Sequence, residues 1–579
     1  MKYLFTTPKP TLELEETPVG LAYVAAALRQ TGRSISTFNF TSMNSIDDLL
    51  CKIEDDNTDV LCIGALSAQY PALKSLITAV RNNYPDVKIL VGGGIITAEP
   101  EFVIQHLDID FGCIGYGEEL ICEFAECLEN NGDFSIIKGL IYKDCDGKLT
   151  INPSRPEPVN IDNIPYPAID MFGFVGGTLF IAGSRSCIYN CTFCFHPSGY
   201  KYKERSLNSI FAEIDYWKQR YNISTVAFID ELFGKNKERV IEFCERFTNI
   251  GMNLYIQLRV DIVTEDLIIR LKNAKCTAIS FGIESVNQSV LNSMRKSITV
   301  EQIENALSLA RKYEITIVGN LIFGDKAETF DIANESLSWW FKNSHYGLNL
   351  DLIRAHPGTA LYKYGVENGR IDRLDFLEKG CPVVNLSAMS DTDFSKLKRK
   401  MELMRNMIGE PITNPRIEEN ENGHLLFCGD CPNCNTSNYV RIENFNKSVA
   451  YMNSNFCIKC GSKVRITNHF MDFFNGSEYF SNYDYTNKRI AIWGATQKAQ
   501  FRMASNKEFK KAVVAVVDTN YKDFSSNHLI GIPVQPPESL YETDFNVLYI
   551  GARFLIARQS IIDCAKGIIK SNTEIMPFS

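Results

Sequence analysis

The chain has no long basic run and no long apolar run, and each absence excludes a class of function. With 60 Lys and Arg against 69 Asp and Glu, the net charge is -9, so a nucleic-acid partner has no electrostatic footprint. The short Lys398-Arg-Lys400 cluster reads as the solvated face of a helix. No apolar stretch approaches the length of a membrane span. Met1-Lys-Tyr-Leu-Phe-Thr6 reads as a first strand, without the apolar core of a signal peptide. The expectation is a cytoplasmic protein with no membrane partner. Without an export signal, the 18 cysteines read as thiols and metal sites, not as a disulfide scaffold. Cys62, Cys113, Cys244 and Cys276 lie in apolar runs and are expected as small core residues. What remains is an ordinary globular composition, 45% hydrophobic with a mean hydropathy of -0.12. At 579 residues the chain is too long for one core and should form about three or four domains.

The most informative stretch is Ser184-Arg-Ser-Cys-Ile-Tyr-Asn-Cys-Thr-Phe-Cys-Phe-His196. Cys187, Cys191 and Cys194 at C-x3-C-x2-C spacing give a cubane iron–sulfur cluster three thiolates. Its fourth iron has no protein ligand. Four cysteines would close the cluster for electron transfer alone, whereas an open metal position can take a substrate directly. A zinc knuckle, or three unrelated buried thiols, is the plainer alternative.

From 1 to 150, strand-like runs (3–6, 34–40, 60–65, 88–91, 111–114) alternate with helical ones, as in a doubly wound parallel sheet with ligands at the carboxyl ends of its strands. Gly92-Gly-Gly94 and Gly115-Tyr-Gly117 lie at such ends, where glycine lets a flat ligand approach the backbone. Five prolines among polar residues mark 151–174 as a linker. Over 175–380 six further strand–helix units follow, at 178–182, 225–229, 254–258, 278–281, 315–323 and 348–353. Parallel barrels build their sites at carboxyl ends. There the sequence places the cysteine loop, Asp230-Glu231, Arg259 with Asp261, Glu284, Gly324 and Arg354. A helical connection is expected over 381–424.

Over 425–466, Cys431-Pro-Asn-Cys434 and Cys457-Ile-Lys-Cys460 form two C-x2-C knuckles about 22 residues apart. A zinc-ribbon-like module on those four thiols is the leading reading, with Cys428 spare and an auxiliary iron–sulfur cluster as the alternative. The segment 487–579 reads as a Rossmann-like α/β domain. Its Gly494-Ala-Thr-Gln-Lys-Ala499 turn lacks the second glycine, and Asp518 could hold a ribose hydroxyl or simply end a strand. Docking or substrate handling suits the segment better than dinucleotide catalysis.

The cysteine spacing, followed by an aromatic residue, resembles the radical S-adenosylmethionine (SAM) enzymes. Pro18-Val-Gly-Leu-Ala-Tyr23, Val91-Gly-Gly-Gly94 with Glu99-Pro100, and Gly115-Tyr-Gly-Glu-Glu119 resemble the cobalamin-binding domain that precedes the barrel in one large class of them. The resemblance implies a partial (β/α)6 barrel, a [4Fe-4S] cluster, SAM chelated to the open iron, and cleavage to a 5′-deoxyadenosyl radical. It carries adenine contact onto Phe193 and the SAM amino group onto Asp230 and Glu231. It assigns Glu284 to the ribose or methionine part, Gly324 and Glu328 to a turn beside adenine, and Arg354 to the closing segment. Gly92, Gly93, Gly94, Gly115 and Gly117 would line the corrinoid. There are two departures. The D-x-H-x-x-G loop that ligates cobalt in many cobalamin proteins is missing, and Lys326 stands where the Gly324 turn usually has proline. The implied outcome is C-methylation of an unactivated carbon in a small molecule, with a flavodoxin or ferredoxin as electron donor. Alternatives are cobalamin-assisted cyclisation or rearrangement, a radical SAM enzyme that does not methylate, and a non-catalytic corrinoid-binding protein. Methylthiolation fits less well, because that subfamily's N-terminal cysteine triad and a basic RNA-binding tail are both lacking.

Overall fold

The computed structural model describes residues 1–8, 18–40, 45–144, 146–173, 177–196, 201–235, 237–343 and 346–407, then 410–411, 413–419, 425–431, 434–441, 454–456, 463–465, 485–494, 499, 503, 507–519, 521, 528–529, 532–550, 561, 564–570 and 573–576. Two compact units divide the chain, 1–336 with 351–394, and 337–350 with 395–579.

The first unit opens with β1 (Lys2–Thr6), α1 (Val19–Gln30), β2 (Ser34–Phe38), α2 (Ile46–Asp56), β3 (Val60–Gly64), α3 (Tyr70–Asn83), β4 (Lys88–Gly92), α4 (Gly94–Ala98), α5 (Pro100–His106), β5 (Phe111–Cys113) and α6 (Glu118–Glu129). The strands pair in the order β2-β1-β3-β4-β5, all parallel. The run Val60-Leu-Cys-Ile shows why. It is apolar on both sides and buried throughout, as a strand covered by helices on both faces must be. Leu61 and Ile63 enter one core and Val60 and Cys62 the other. The order reverses between β1 and β3, the kind of switch point at which such sheets open a crevice. An antiparallel hairpin, β6 (Leu140–Lys143) and β7 (Leu149–Ile151), extends the edge. Its turn is closed by the Asp144 carboxylate, which accepts from the backbone N–H of Asp146 and Lys148. These two strands are not among the runs expected from the sequence.

After α7 (Ile169–Phe172) come β8 (Thr178–Ile181), the short pair β9 (Ser184–Arg185) and β10 (Lys203–Glu204), α8 (Leu207–Lys218), β11 (Thr225–Phe228), α9 (Lys237–Phe247), β12 (Asn253–Leu258), α10 (Glu265–Asn273), β13 (Cys276–Glu284), α11 (Gln288–Ser293), α12 (Val300–Lys312), β14 (Thr316–Phe323), α13 (Phe330–Lys342) and β15 (Asn349–Leu352). Six of these strands form one sheet in chain order, β8-β11-β12-β13-β14-β15. The registers from β8 to β14 are parallel. Side chains cap the helix starts: Ser206, Thr264, Asn287 and Thr299 each accept from a first-turn N–H, which satisfies donors the helix cannot pair itself. Phe211, Phe228, Phe233, Phe243 and Phe247 form one ring cluster, with stacked pairs at Phe211–Phe243 and Phe243–Phe247 and edge-on or tilted contacts between the others. Each buried ring contributes roughly 1.5–3 kcal/mol. α14 (Ala360–Glu367), α15 (Arg373–Glu378) and α16 (Asp391–Met407) follow. The connection expected to be helical over 381–424 also holds a strand, Thr413–Glu419, paired antiparallel with Leu425–Asp430. Pro415 within it explains the departure, since proline breaks a helix interior.

The second unit contains a six-stranded sheet built on Ile490–Trp493, Val513–Val517 and Val547–Ile550, paired parallel. Ile490 and Ile492 enter one core, Ala491 and Trp493 the other, so both faces are covered. Among the described residues, no helix is long and apolar enough to cross a membrane.

Candidate active site

The cysteine loop leaves β9 through Ser186, which adopts a left-handed φ of 65°. Two backbone bonds hold the loop's middle. Thr192 N–H donates to Met294 C=O at 3.0 Å, and Leu361 N–H donates to Thr192 C=O at 2.8 Å. Cys191 is buried, Cys187 half-buried and Cys194 exposed. Although Cys194 is exposed as a residue, desolvation around its sulfur pushes the thiol up to about 12, and Glu231, Cys191 and Cys187 add to this. The three sulfurs therefore lie within one another's field. The loop presents neutral thiols that a bound metal would convert to thiolates, and this donor set fits an open iron–sulfur cluster. Among the described residues no group of three ligands closes around a single metal ion.

Around the loop lie paired charges, of which Lys296 carries no signal in the sequence. Lys296 is 8% exposed and its Nζ lies 2.7 Å from Glu284 Oε1. Burial works against the ammonium, but Glu284 beside it raises it above its ordinary value. Glu284 has a left-handed φ of 63° where β13 loses register with β14, and non-glycine residues hold that conformation only where their surroundings impose it. A Cβ on Gly282 would fall 2.7 Å from Lys296 Nζ, so a side chain there would displace the ammonium. Lys296 also lies 5.9 Å from the Phe193 ring centre. Arg259 pairs with Asp261, donates to the Lys296 and Ser297 carbonyls at 3.1 Å each, and packs its guanidinium on Tyr189 of the cysteine loop. Nothing in Ser293-Met-Arg-Lys-Ser297 marks Lys296 as buried, because a charged run ordinarily reads as a solvated face.

Asp230 is buried at the end of β11. Its Oδ2 accepts from Gly183 N–H at 2.9 Å, while Oδ1 is buried without a partner. Burial pushes this carboxyl up to about 6 against the hydrogen bonds from Ser184 and Gly183. The unused acceptor fits an ammonium group. Glu231 bonds His196 Nδ1. Glu328 turns inward: its Oε2 accepts from Gly324 N–H at 2.6 Å, and burial pushes it up to about 8. Gly324 has a φ of 111°. Arg354 is exposed after β15, and its charge adds to burial in lowering His356.

At the carboxyl ends of the first sheet, Gly93 has a φ of 89°, and a Cβ there would fall 2.6 Å from Ala65 C=O. Gly115, φ 77°, faces open space, while Gly117 packs under Val24. Leu66 beside Gly94 is 61% exposed. A flat apolar-faced group fits this bare shelf. His106 is committed elsewhere: its Nδ1 lies 2.7 Å from Phe102 C=O and its ring stacks on Phe102.

In the second unit, Cys431 N–H donates to Thr436 C=O at 2.9 Å, and Asn435, φ 57°, returns its N–H to Cys431 C=O at 2.8 Å. This folds Cys431 and Cys434 into a tight knuckle. Cys457 and Cys460 lie outside the described residues.

Comparison with known proteins agrees with this architecture. The B12 binding domain family matches residues 10–125, and the radical SAM superfamily matches residues 181–339. An uncharacterized methyltransferase of Pyrococcus horikoshii is 27% identical over 397 residues, 66% of this chain and 86% of the relative. The radical SAM methyltransferase TsrM from Kitasatospora setae, solved with tryptophan substrate and a SAM analogue, superposes with a TM-score of 0.55 at 17% identity, covering 64% of this chain and 77% of that one. The cobalamin-dependent SAM radical enzyme OxsB, solved with aqua-cobalamin and SAM, gives a TM-score of 0.51 at 19% identity, covering 70% and 61%.

Proposed function

We infer the chemistry from one premise: this chain belongs to the radical SAM enzymes that carry a B12 binding domain. The reading is cobalamin-dependent radical methylation of an unactivated carbon in a small molecule. One observation carries it. The three-thiol loop and the glycine shelf lie side by side, with Phe195, next to Cys194, against Gly94, so a cluster and a corrinoid would share one opening.

A bound [4Fe-4S] cluster supplies the electron that cleaves SAM, and a bound corrinoid supplies the methyl group. The rest falls to this chain's side chains. Cys187, Cys191 and Cys194 would hold three irons. The unpartnered Oδ1 of Asp230 would take the SAM amino group, and Phe193 would flank adenine. Glu284 acts as half of an ion pair with Lys296, so its task is to hold that cation beside the loop. Glu328 ties down its own turn through the Gly324 N–H. Gly92 to Gly94, Gly115 and Gly117 would cradle the corrin, with exposed Leu66 beside them.

The Cys431 knuckle supports a structural zinc site on Cys431, Cys434, Cys457 and Cys460. A small electron-transfer protein such as a flavodoxin or ferredoxin would deliver the electron in the cytoplasm. The C-terminal parallel sheet would act as a Rossmann-like docking or substrate-handling domain.

The test is direct. Protein purified without oxygen is reconstituted with iron and sulfide, then given hydroxocobalamin, dithionite and SAM. 5′-Deoxyadenosine and S-adenosylhomocysteine are both measured. The expected result is both products. Absence of deoxyadenosine under reducing conditions sinks the radical reading; deoxyadenosine without S-adenosylhomocysteine replaces methylation with rearrangement or simple hydrogen abstraction.

A further inference from the structure

We propose that the residues flanking the three cysteines clasp both glycine turns of the first sheet, making Arg185 and Phe195 positioning residues that tie corrinoid binding to the cluster loop. The inference rests on the corrinoid reading above and adds a coupling that the reading does not require.

On one side, Arg185 stands two residues before Cys187. Its Nη2 lies 2.6 Å from Glu118 Oε1, with the two side chains 18% and 8% exposed. Glu118 opens α6 directly after Gly117. The guanidinium also lies 5.1 Å from the Tyr23 ring centre and 5.7 Å from that of Tyr116, and Tyr116 sits between Gly115 and Gly117. Arg185 thus grips the whole second glycine turn. On the other side, Phe195 follows Cys194. A Cβ on Gly94 would meet its Cε1 at 3.5 Å, and a Cβ on Gly358 would meet its Cε2 at 2.5 Å. The ring is therefore seated between the first glycine turn and the segment after β15.

Between the two grips the sheets share one apolar core. Val91, Ile95 and Ile96 pack in the same cluster as Val290, Met294 and Leu361. Met294 and Leu361 are the residues whose backbones hold Thr192 in the cysteine loop. A shift of either glycine turn on seating a corrin is therefore felt at the loop, and ordering the loop around a cluster biases both turns. Such coupling is reciprocal and typically changes affinity 5–150-fold.

The experiment measures hydroxocobalamin affinity by anaerobic equilibrium dialysis on the full chain, with and without reconstituted cluster. Wild-type protein should bind about tenfold more tightly with the cluster in place. Arg185→Met is made together with Glu118→Gln, so that no lone charge is left buried. This pair should retain cluster iron and still bind cobalamin, but with equal affinity in both states. Phe195→Leu should reduce the ratio in the same direction and carries the test if the double variant loses its cluster. A purely structural role would lower both affinities and leave their ratio intact, and that result overturns the proposal. A wild-type ratio of one overturns it as well. Wild-type protein that binds no cobalamin in either state overturns the corrinoid reading itself, which is a separate outcome.

Discussion

The two parallel sheets of the first unit solve the same problem by opposite means. In the β1–β5 sheet, helices α1, α3, α4 and α6 begin without a side-chain cap. The turns before α4 and α6 end in glycine, Gly93 and Gly117, and Leu66 beside them is exposed. In the β8–β15 sheet, helix starts are capped by Ser, Thr and Asn, and the carboxyl ends carry thiols, carboxylates and buried cations. A surface of backbone and absent side chains recognises shape and offers hydrogen bonds. It has little with which to move protons or electrons. A surface of thiols and paired charges can bind metal and orient an ionic substrate. The first is therefore read as a receptor for a flat cofactor and the second as the seat of reaction.

The largest expected effect separates the two. Cys194→Ala should abolish deoxyadenosine formation, with at least a 10³-fold loss, because the proposed cluster would lose a ligand. Cobalamin should still bind at the affinity of cluster-free protein. Retained SAM cleavage would mean the ligands are misassigned; lost cobalamin would mean the two sheets do not divide the work as described.

Next comes the buried pair. Lys296→Met leaves Glu284 without its partner and should destabilise the fold by about 3–5 kcal/mol, read as a lowered denaturation midpoint. Adding Glu284→Gln should restore most of the loss. If the single change costs no more than an exposed pair, the charges are solvated in solution and the contrast between the sheets weakens.

The sequence already located both sheets, because continuous apolar runs such as Val60-Leu-Cys-Ile and Thr316–Phe323 can only be strands or buried helices, and their spacing decides. All six barrel strands fall within two residues of their expected starts. The site was legible only where spacing carries the information, as in the three cysteines and the glycine turns. Lys296, Arg185 and Phe195 were not legible. Lysine and arginine ordinarily lie in solvent, and their burial here is set by tertiary partners, Glu284 and Glu118, whose pairing no local pattern reports. Glu328 was placed beside the site by resemblance, yet its carboxyl serves the Gly324 backbone. The periodicity of a segment reports which face is buried; it does not report which polar atom turns inward.

That inward turn gives a pH signature. Glu328 is raised in the folded state from 4.5 to about 8. The native protein therefore holds a proton between those values that the unfolded chain has released. The contribution of this group to stability is full below about pH 4.5, falls as pH rises, and is lost through pH 8. At about 1.4 kcal/mol per unit, the swing over this interval is on the order of 5 kcal/mol. Glu328→Gln keeps an acceptor for Gly324 and should flatten this part of the denaturation profile between pH 5 and 9. An unchanged slope would show that the carboxyl is hydrated and the second sheet less dry than its packing implies.

The smallest effect is the most selective. Gly93→Ala adds one carbon 2.6 Å from a backbone carbonyl at a φ of 89°, a strain of about 1–3 kcal/mol that the turn can relieve only by shifting. Because the turn belongs to the shelf, the shift should weaken hydroxocobalamin binding roughly tenfold while iron content stays at its wild-type level. The cysteine loop contributes no atom to the clash, so cluster assembly has no reason to fail. Equal losses of iron and cobalamin would instead mean that the shelf and the cluster loop form one inseparable structure, and the division between a shape-reading sheet and a reacting sheet would have to be given up.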